Sequence, residues 1–218
     1  MINKELQKRI LSSIILIPIA LFFIIKGSIF LILFLGMFFL ATAYEWQKMN
    51  KNHFFKFFGI IYLVVVSIFA FLLREDFGLN IFIFIIIICI FTDIGGYVFG
   101  KIFKGPKLTK ISPNKTYAGM IGSFIFSIIA GSIYIQSQNS FSLFELSILQ
   151  KNDLTYIFIV LFISAVSQIG DLIISYFKRL AKIKHTGKIL PGHGGLLDRV
   201  DGIIFAIPVS YLLFNILN

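Results

Sequence analysis

Seven apolar runs, broken by short polar stretches, divide this chain: residues 10–25, 28–44, 57–73, 79–99, 117–135, 154–177 and 203–217. Each approaches the ~20 residues that cover the hydrocarbon core of a bilayer as a helix, the last being short unless it begins near Leu196. The runs are continuous rather than alternating, which predicts helices and argues against barrel strands. The first run follows Lys4, Lys8 and Arg9 and so resembles the start of a signal peptide. It has no small-x-small site at its end, stops at Lys26-Gly27, and leads at once into another apolar run, so a membrane span is the better reading.

Composition agrees with the pattern. The chain of 218 residues is 58% hydrophobic with 27 Phe, and its mean hydropathy is +0.93. Those values are far outside the range of a soluble domain and define an integral membrane protein. A net charge of +10 would point to nucleic acid in a soluble protein. Here the cations flank apolar runs, so they are read as topology signals, and no nucleic-acid partner is expected. With the N-terminus cytoplasmic, seventeen of the twenty Lys and Arg fall in inside segments, while Lys26, Arg74 and Lys151 fall outside. The expectation is therefore an all-α, polytopic bundle of about seven transmembrane helices, N-terminus cytoplasmic and C-terminus outside. It is read as a single membrane-embedded domain over 1–218, with scaffold spans in 1–75 and a catalytic region in 79–218 whose cytoplasmic loops are 100–116 and 178–202. Cys89 is the only cysteine, which excludes a disulfide framework and a thiol pair for zinc.

Chemistry concentrates in the last third. Ser164, Gln168, Asp171, Ser175 and Lys178 recur at helical spacing and draw one polar stripe on an apolar cylinder. An aspartate inside a span costs a few kcal/mol even on translocon scales, so Asp171 calls for a cationic or metal partner; a structural ion pair with a neighbouring helix is the plainer alternative. Beyond it lie Lys178, Arg179, Lys182, Lys184, Lys188 and Arg199, the run Gly192-His193-Gly194-Gly195, and the acidic pair Asp198 and Asp201. A glycine run leading into a helix is a generic cradle for anions, and Asp198 and Asp201 share one face of a helix start. Simple charge complementarity with the helix dipole would account for that acidic pair alone. Asp93 is a further acid within the fourth run, followed by Gly95-Gly96. Residues 95–101 match the glycines and lysine of a P-loop, but Ile102 stands where Ser or Thr would bind magnesium and no strand precedes them. Ser112-Pro113-Asn114-Lys115-Thr116 combines turn residues with phosphate-binding side chains.

Three carboxylates meeting at the edge of a low-dielectric bundle cannot all stay ionised unaided, because desolvation and mutual repulsion both disfavour the charge. A divalent cation resolves that conflict, and oxygen-only ligands suit Mg²⁺ better than Zn²⁺. Asp171, Asp198 and Asp201 are accordingly the expected metal ligands, with Asp201 in a supporting role.

From Ser175 to Asp201 the residues Ser175, Phe177, Lys178, Arg179, Lys184, Gly187, Leu190, Pro191, His193, Gly194, Gly195, Leu196, Asp198, Arg199, Val200 and Asp201 resemble the long C-terminal motif of phosphatidate cytidylyltransferases (CDP-diacylglycerol synthases). Asp171 resembles the intramembrane aspartate upstream of that motif. Asp93 with the Ser112–Thr116 segment resembles a second region of the family, and Glu45-Trp46 fits as well. Three positions depart from the family pattern: His185 stands where an aspartate is usual, Asn114 where a second lysine is usual, and Ala118 where a glutamate is usual.

The resemblance implies transfer of CMP from CTP to phosphatidate in phospholipid biosynthesis; Mg²⁺ is the expected cofactor, and a second cation is left open. CTP, phosphatidate and the bilayer are the implied partners, together with a homodimer. It assigns catalysis to Asp171, Asp198, Lys178 and Arg179, and nucleotide or phosphate binding to Lys184, His193, Gly194, Gly195, Arg199, Asp93, Ser112, Lys115 and Thr116. The expected location is a bacterial-type cytoplasmic (inner) membrane with the site on the cytoplasmic side. Two rival activities remain from the residues themselves: a CTP-dependent lipid-alcohol kinase, and a cation transporter or channel lined by Asp93 and Asp171.

Overall fold

A computed structural model describes residues 4–109, 111–138, 153–190, 192 and 194–217. Among these residues the chain is all-helical, with no strand. The helices are α1 (Lys4–Lys26), α2 (Ser28–Met49), α3 (His53–Asp76), α4 (Gly78–Phe103), α5 (Tyr117–Gln138), α6 (Asp153–Leu180), the single turn α7 (Leu197–Val200) and α8 (Ile203–Leu217). Five of them, α2 to α6, are long and apolar enough to cross a membrane, whereas the apolar parts of α1 (Leu11–Lys26) and α8 (Ile203–Leu217) are shorter. The seven apolar runs therefore all become helices, and five reach spanning length.

By its internal contacts the chain forms two compact units. The first comprises Met1–Phe71 with Phe177–Val200, the second Leu72–Tyr176 with Asp201–Asn218. In the first unit, Lys26-Gly27 breaks the helix as the sequence predicts, with Gly27 in a left-handed conformation (φ 66°) that a Cβ would strain. Phe23 stacks on Phe34 across this hairpin. The end of α2 is pinned by Trp46, whose indole N–H donates to the Phe55 carbonyl at 2.8 Å. Its ring meets Phe177 edge-on at 4.9 Å, and a Cβ at Gly59 would fall within the same ring. Trp46 thus ties α2, α3 and the last turns of α6 together.

The second unit is built on close helix approach. In lipid there is little hydrophobic drive between helices, so small residues that let backbones touch decide the packing. A Cβ at Gly95 would strike the Gly122 carbonyl, and one at Gly122 would strike Phe99, so α4 and α5 meet backbone to backbone. Polar side chains complete the joint: Ser123 donates to the Thr92 carbonyl at 2.7 Å, and Thr92 donates to Ser164 at 2.8 Å. Thr92 and Ser164 are both fully buried. The polar stripe of α6 therefore begins as interhelical glue. Gly202 likewise lies against Ser167, and Gly170 against Phe205, which seats α8 on α6.

Candidate active site

Within the second unit, a cavity of about 250 Å³ opens beside α4, α5 and α6, with Asp93, Asn114, Lys115, Thr116, Gln168 and Asp171 in its lining. The loop before α5 folds back on itself to reach it. The Leu108 amide donates to the Lys115 carbonyl at 2.8 Å, the Lys115 amide to the Ser112 carbonyl at 3.0 Å, and the Tyr117 amide to the Pro106 carbonyl at 3.2 Å. Ser112 is held in that turn by a bond from its own amide to Thr109 Oγ1 at 3.2 Å. Thr116 caps α5, its hydroxyl accepting the Gly119 amide at 3.1 Å. So anchored, Lys115 makes an ion pair with Asp171 Oδ2 and reaches the Gln168 carbonyl at 3.4 Å. Ser175 donates to Asp171 Oδ1 at 3.4 Å. The cationic partner that an intramembrane aspartate calls for is thus Lys115, delivered by a loop rather than by a neighbouring helix.

The first unit holds the second polar cluster. Lys178, at the end of α6, donates to Asp198 Oδ1 at 2.9 Å. Asp198 Oδ2 accepts the Thr186 amide at 2.9 Å and the Gly195 amide at 3.3 Å, and His185 Nδ1 lies 3.6 Å from the same oxygen. The Asp198 side chain is only 8% exposed. Burial on its own raises the carboxyl pKa, but the Lys178 hydrogen bond, the Thr186 amide, the Lys178 charge and the Gly195 amide outweigh it and hold the group below its ordinary value. Arg179, Lys184 and Arg199 are exposed. His193 lies outside the described residues.

The amides of Gly194 to Leu197 are engaged inside the protein. The Gly194 amide closes a tight bridge to the Leu190 carbonyl at 3.2 Å, with Gly194 at φ 90°. Gly195 donates to Asp198, and the next two amides donate to Glu45. Glu45 is the residue whose importance the sequence understates. It is fully buried at the end of α2, and the hints were an acid standing at the close of an apolar run and the fit of Glu45-Trp46 to the family pattern.

A depressed carboxyl pKa in the folded state adds stability above the unfolded value, ~3.9 for Asp, and loses it as the pH falls through the lower, folded value. Trp46, the single tryptophan, packs on Phe177 one residue before Lys178 and reports on this cluster. Its emission should stay constant from about pH 8 to about pH 5 and change only in stronger acid. The change should begin at higher pH in Lys178→Met, which removes the first of the interactions that lower the Asp198 pKa.

Besides the Lys115 ammonium and the Met120 thioether, the polar side chains lining the cavity offer oxygens: two carboxylates, amide carbonyls and hydroxyls, with neither thiol nor imidazole. That set fits a hard cation such as Mg²⁺ and not a soft one. Among the described residues no three His, Cys, Asp or Glu side chains gather as a ligand group. A Mg²⁺ ion bound beside Asp171 would therefore take one or two carboxylates and fill its shell with water and substrate oxygens, its usual habit. Asp201 is buried and its Oδ1 accepts the Gly202 amide at 3.1 Å.

Comparison with known proteins defines the class. Residues 50–217 match the Cytidylyltransferase family, and the chain belongs to that family. Its relatives include the phosphatidate cytidylyltransferase of Rickettsia felis, 33% identical over 97% of this chain and 93% of the relative. That of Brucella suis biovar 1 is 30% identical over 95% and 93%, and that of Staphylococcus haemolyticus is 33% identical over 82% and 67%.

Proposed function

We propose that this protein is a membrane nucleotidyltransferase that moves CMP from CTP to phosphatidate, releasing pyrophosphate and forming CDP-diacylglycerol. The observation that carries the reading is the cavity holding two carboxylates in which Lys115 pairs with Asp171 inside an apolar bundle. A lipid phosphate and a soluble triphosphate meet only at the membrane interface, and a site for them needs fixed cations, metal-binding carboxylates and close backbone approach.

In the reaction a phosphate oxygen of phosphatidate attacks the α-phosphorus of CTP. A bond forms there, and the bond from that phosphorus to the oxygen bridging to the β-phosphate breaks, that oxygen leaving with pyrophosphate. No side-chain nucleophile is needed, so the protein's task is positioning and charge stabilisation. Bound Mg²⁺ would supply Lewis-acid neutralisation of the phosphate oxygens. Asp171, with Asp93 in the same cavity, is the pair of carboxylates that would hold it there. The electrostatic argument from the sequence assigns Asp198 and Asp201 to metal as well, and each is testable singly. Lys115 presents its ammonium to the cavity as a fixed cation for phosphate oxygens, and the resemblance assigns Lys178 and Arg179 to catalysis as well.

The test is a product assay on purified protein with CTP labelled in its phosphates, with phosphatidate, and with or without magnesium. Magnesium-dependent pyrophosphate release with CDP-diacylglycerol is expected; release of CDP would instead assign a lipid kinase.

The same reading takes the two shorter apolar helices as spans, for seven in all, with the N-terminus in the cytoplasm and the C-terminus outside, in a cytoplasmic-type membrane. Single cysteines placed in loops 100–116 and 178–195 of a Cys89→Ala protein should resist an impermeant thiol reagent on intact cells and react after permeabilisation. Labelling of both loops from outside would reverse the orientation.

A further inference from the structure

A buried acid at the end of α2 is bonded to residues 141 to 152 positions further along the chain. Glu45 Oε1 accepts the Leu196 amide at 2.9 Å. Its Oε2 accepts the Leu197 amide at 2.9 Å and the Thr186 hydroxyl at 2.8 Å. The residue is 0% exposed, so these bonds are made without competition from water, where each counts for more. Two glycines make room for it: a Cβ at Gly187 or at Gly195 would collide with the Glu45 carboxyl group.

The donors to Glu45 and to Asp198 interleave. Thr186 gives its hydroxyl to Glu45 and its amide to Asp198. Gly195 gives its amide to Asp198, and the following two residues give theirs to Glu45. The two carboxyl groups therefore staple the same two stretches of loop from α2 and from α7. The anion cradle that the glycine run offers is taken up, at residues 196 and 197, by a side chain of the protein itself.

We propose that Glu45 is a positioning residue for the cytidylyl transfer: it fixes Thr186 and the Gly195–Leu197 stretch so that Asp198 and its partner Lys178 are held in one geometry. This rests on the proposed function, because it assigns Glu45 a role in that reaction. Glu45 touches no substrate and acts through Asp198. Gln at this position offers one oxygen where three donors converge, and it points an N–H₂ group at one of them. Asp is shorter by one methylene and cannot span all three.

The closing experiment has a kinetic arm and an exchange arm. In the kinetic arm, CDP-diacylglycerol formation is measured for the wild type, Glu45→Gln, Asp198→Asn and the double variant. Glu45→Gln should lose about 30- to 100-fold in kcat, the scale expected when a catalytic group is displaced by about 1 Å. In the Asp198→Asn background the same change should cost less than about 3-fold, because residues that act as one unit are not additive. Thr186→Ser, which keeps the hydroxyl, should stay near wild type, and Thr186→Val should fall between.

In the exchange arm, amide hydrogen exchange is followed in the full-length protein without substrate. Glu45→Gln should speed exchange within residues 181–200 and leave α1 to α3 unchanged. Full activity in Glu45→Gln, or an undiminished loss in the Asp198→Asn background, overturns the positioning role, as does unchanged exchange in the loop. A merely destabilising change would instead speed exchange throughout the unit. If the wild type makes no CDP-diacylglycerol while the exchange arm behaves as expected, the functional reading fails and the clamp stands as loop architecture, which overturns the proposal as a catalytic one.

Discussion

Asp171→Asn is expected to lower CDP-diacylglycerol formation by at least 10²- to 10³-fold, the loss typical when a preorganised electrostatic group is removed from a water-poor site. The substitution is nearly isosteric and removes one charge. It takes from the cavity the carboxylate best placed to bind a hard cation, and it leaves the Lys115 ammonium facing an amide instead of an acid. Membrane insertion should be unaffected, because an Asn costs less than an Asp within a span. Lys115→Met separates the two roles of the pair. Without the lysine, Asp171 is released from its ion pair, so half-saturating magnesium should fall while KM for CTP rises. Near wild-type rates with unchanged magnesium dependence in Asp171→Asn would sink the assignment of Asp171 as a metal ligand.

The second large effect is expected at Asp198. Its two oxygens serve Lys178 on one side and the Thr186 and Gly195 amides on the other. Asn has a single acceptor oxygen, so Asp198→Asn must abandon either the lysine or the amides. Abandoning the lysine leaves a cation with 13% side-chain exposure short of its acceptor, and abandoning the amides frees the loop. Either outcome should reduce kcat by about 10²-fold or more. Lys178→Met should cost less than Asp198→Asn, because the two backbone donors still hold the carboxylate. Equal losses in the two variants would show that the ion pair, and not the loop geometry, is what the reaction needs. Asp201→Asn should fall below both, since Asp201 is buried and its Oδ1 accepts a local amide.

Much of the architecture was legible from local pattern. Among the described residues, the continuous apolar runs predicted every helix except the single turn α7, since backbone groups in lipid must be satisfied within their own segment. The spacing of Ser164, Gln168, Asp171, Ser175 and Lys178 put them on one face of α6, and the Lys26-Gly27 break ended α1 where the sequence places it. The acids and cations of the proposed site were visible because charge in an apolar run is costly and stands out.

Partnership was not legible, because periodicity is local and pairing is not. Asp171 announced that it needed a cation, but only the folding-back of residues 106–117 decides that the cation is Lys115. The glycine run announced free amides near a helix start, yet two carboxyl groups take those of Gly195, Leu196 and Leu197, one from the helix itself and one from α2. What the sequence by itself determined is therefore the set of helices and the inventory of charged groups. The tertiary structure alone decided which donor each buried carboxylate would meet, since a group withdrawn from water must find its partner wherever chain reversal brings one.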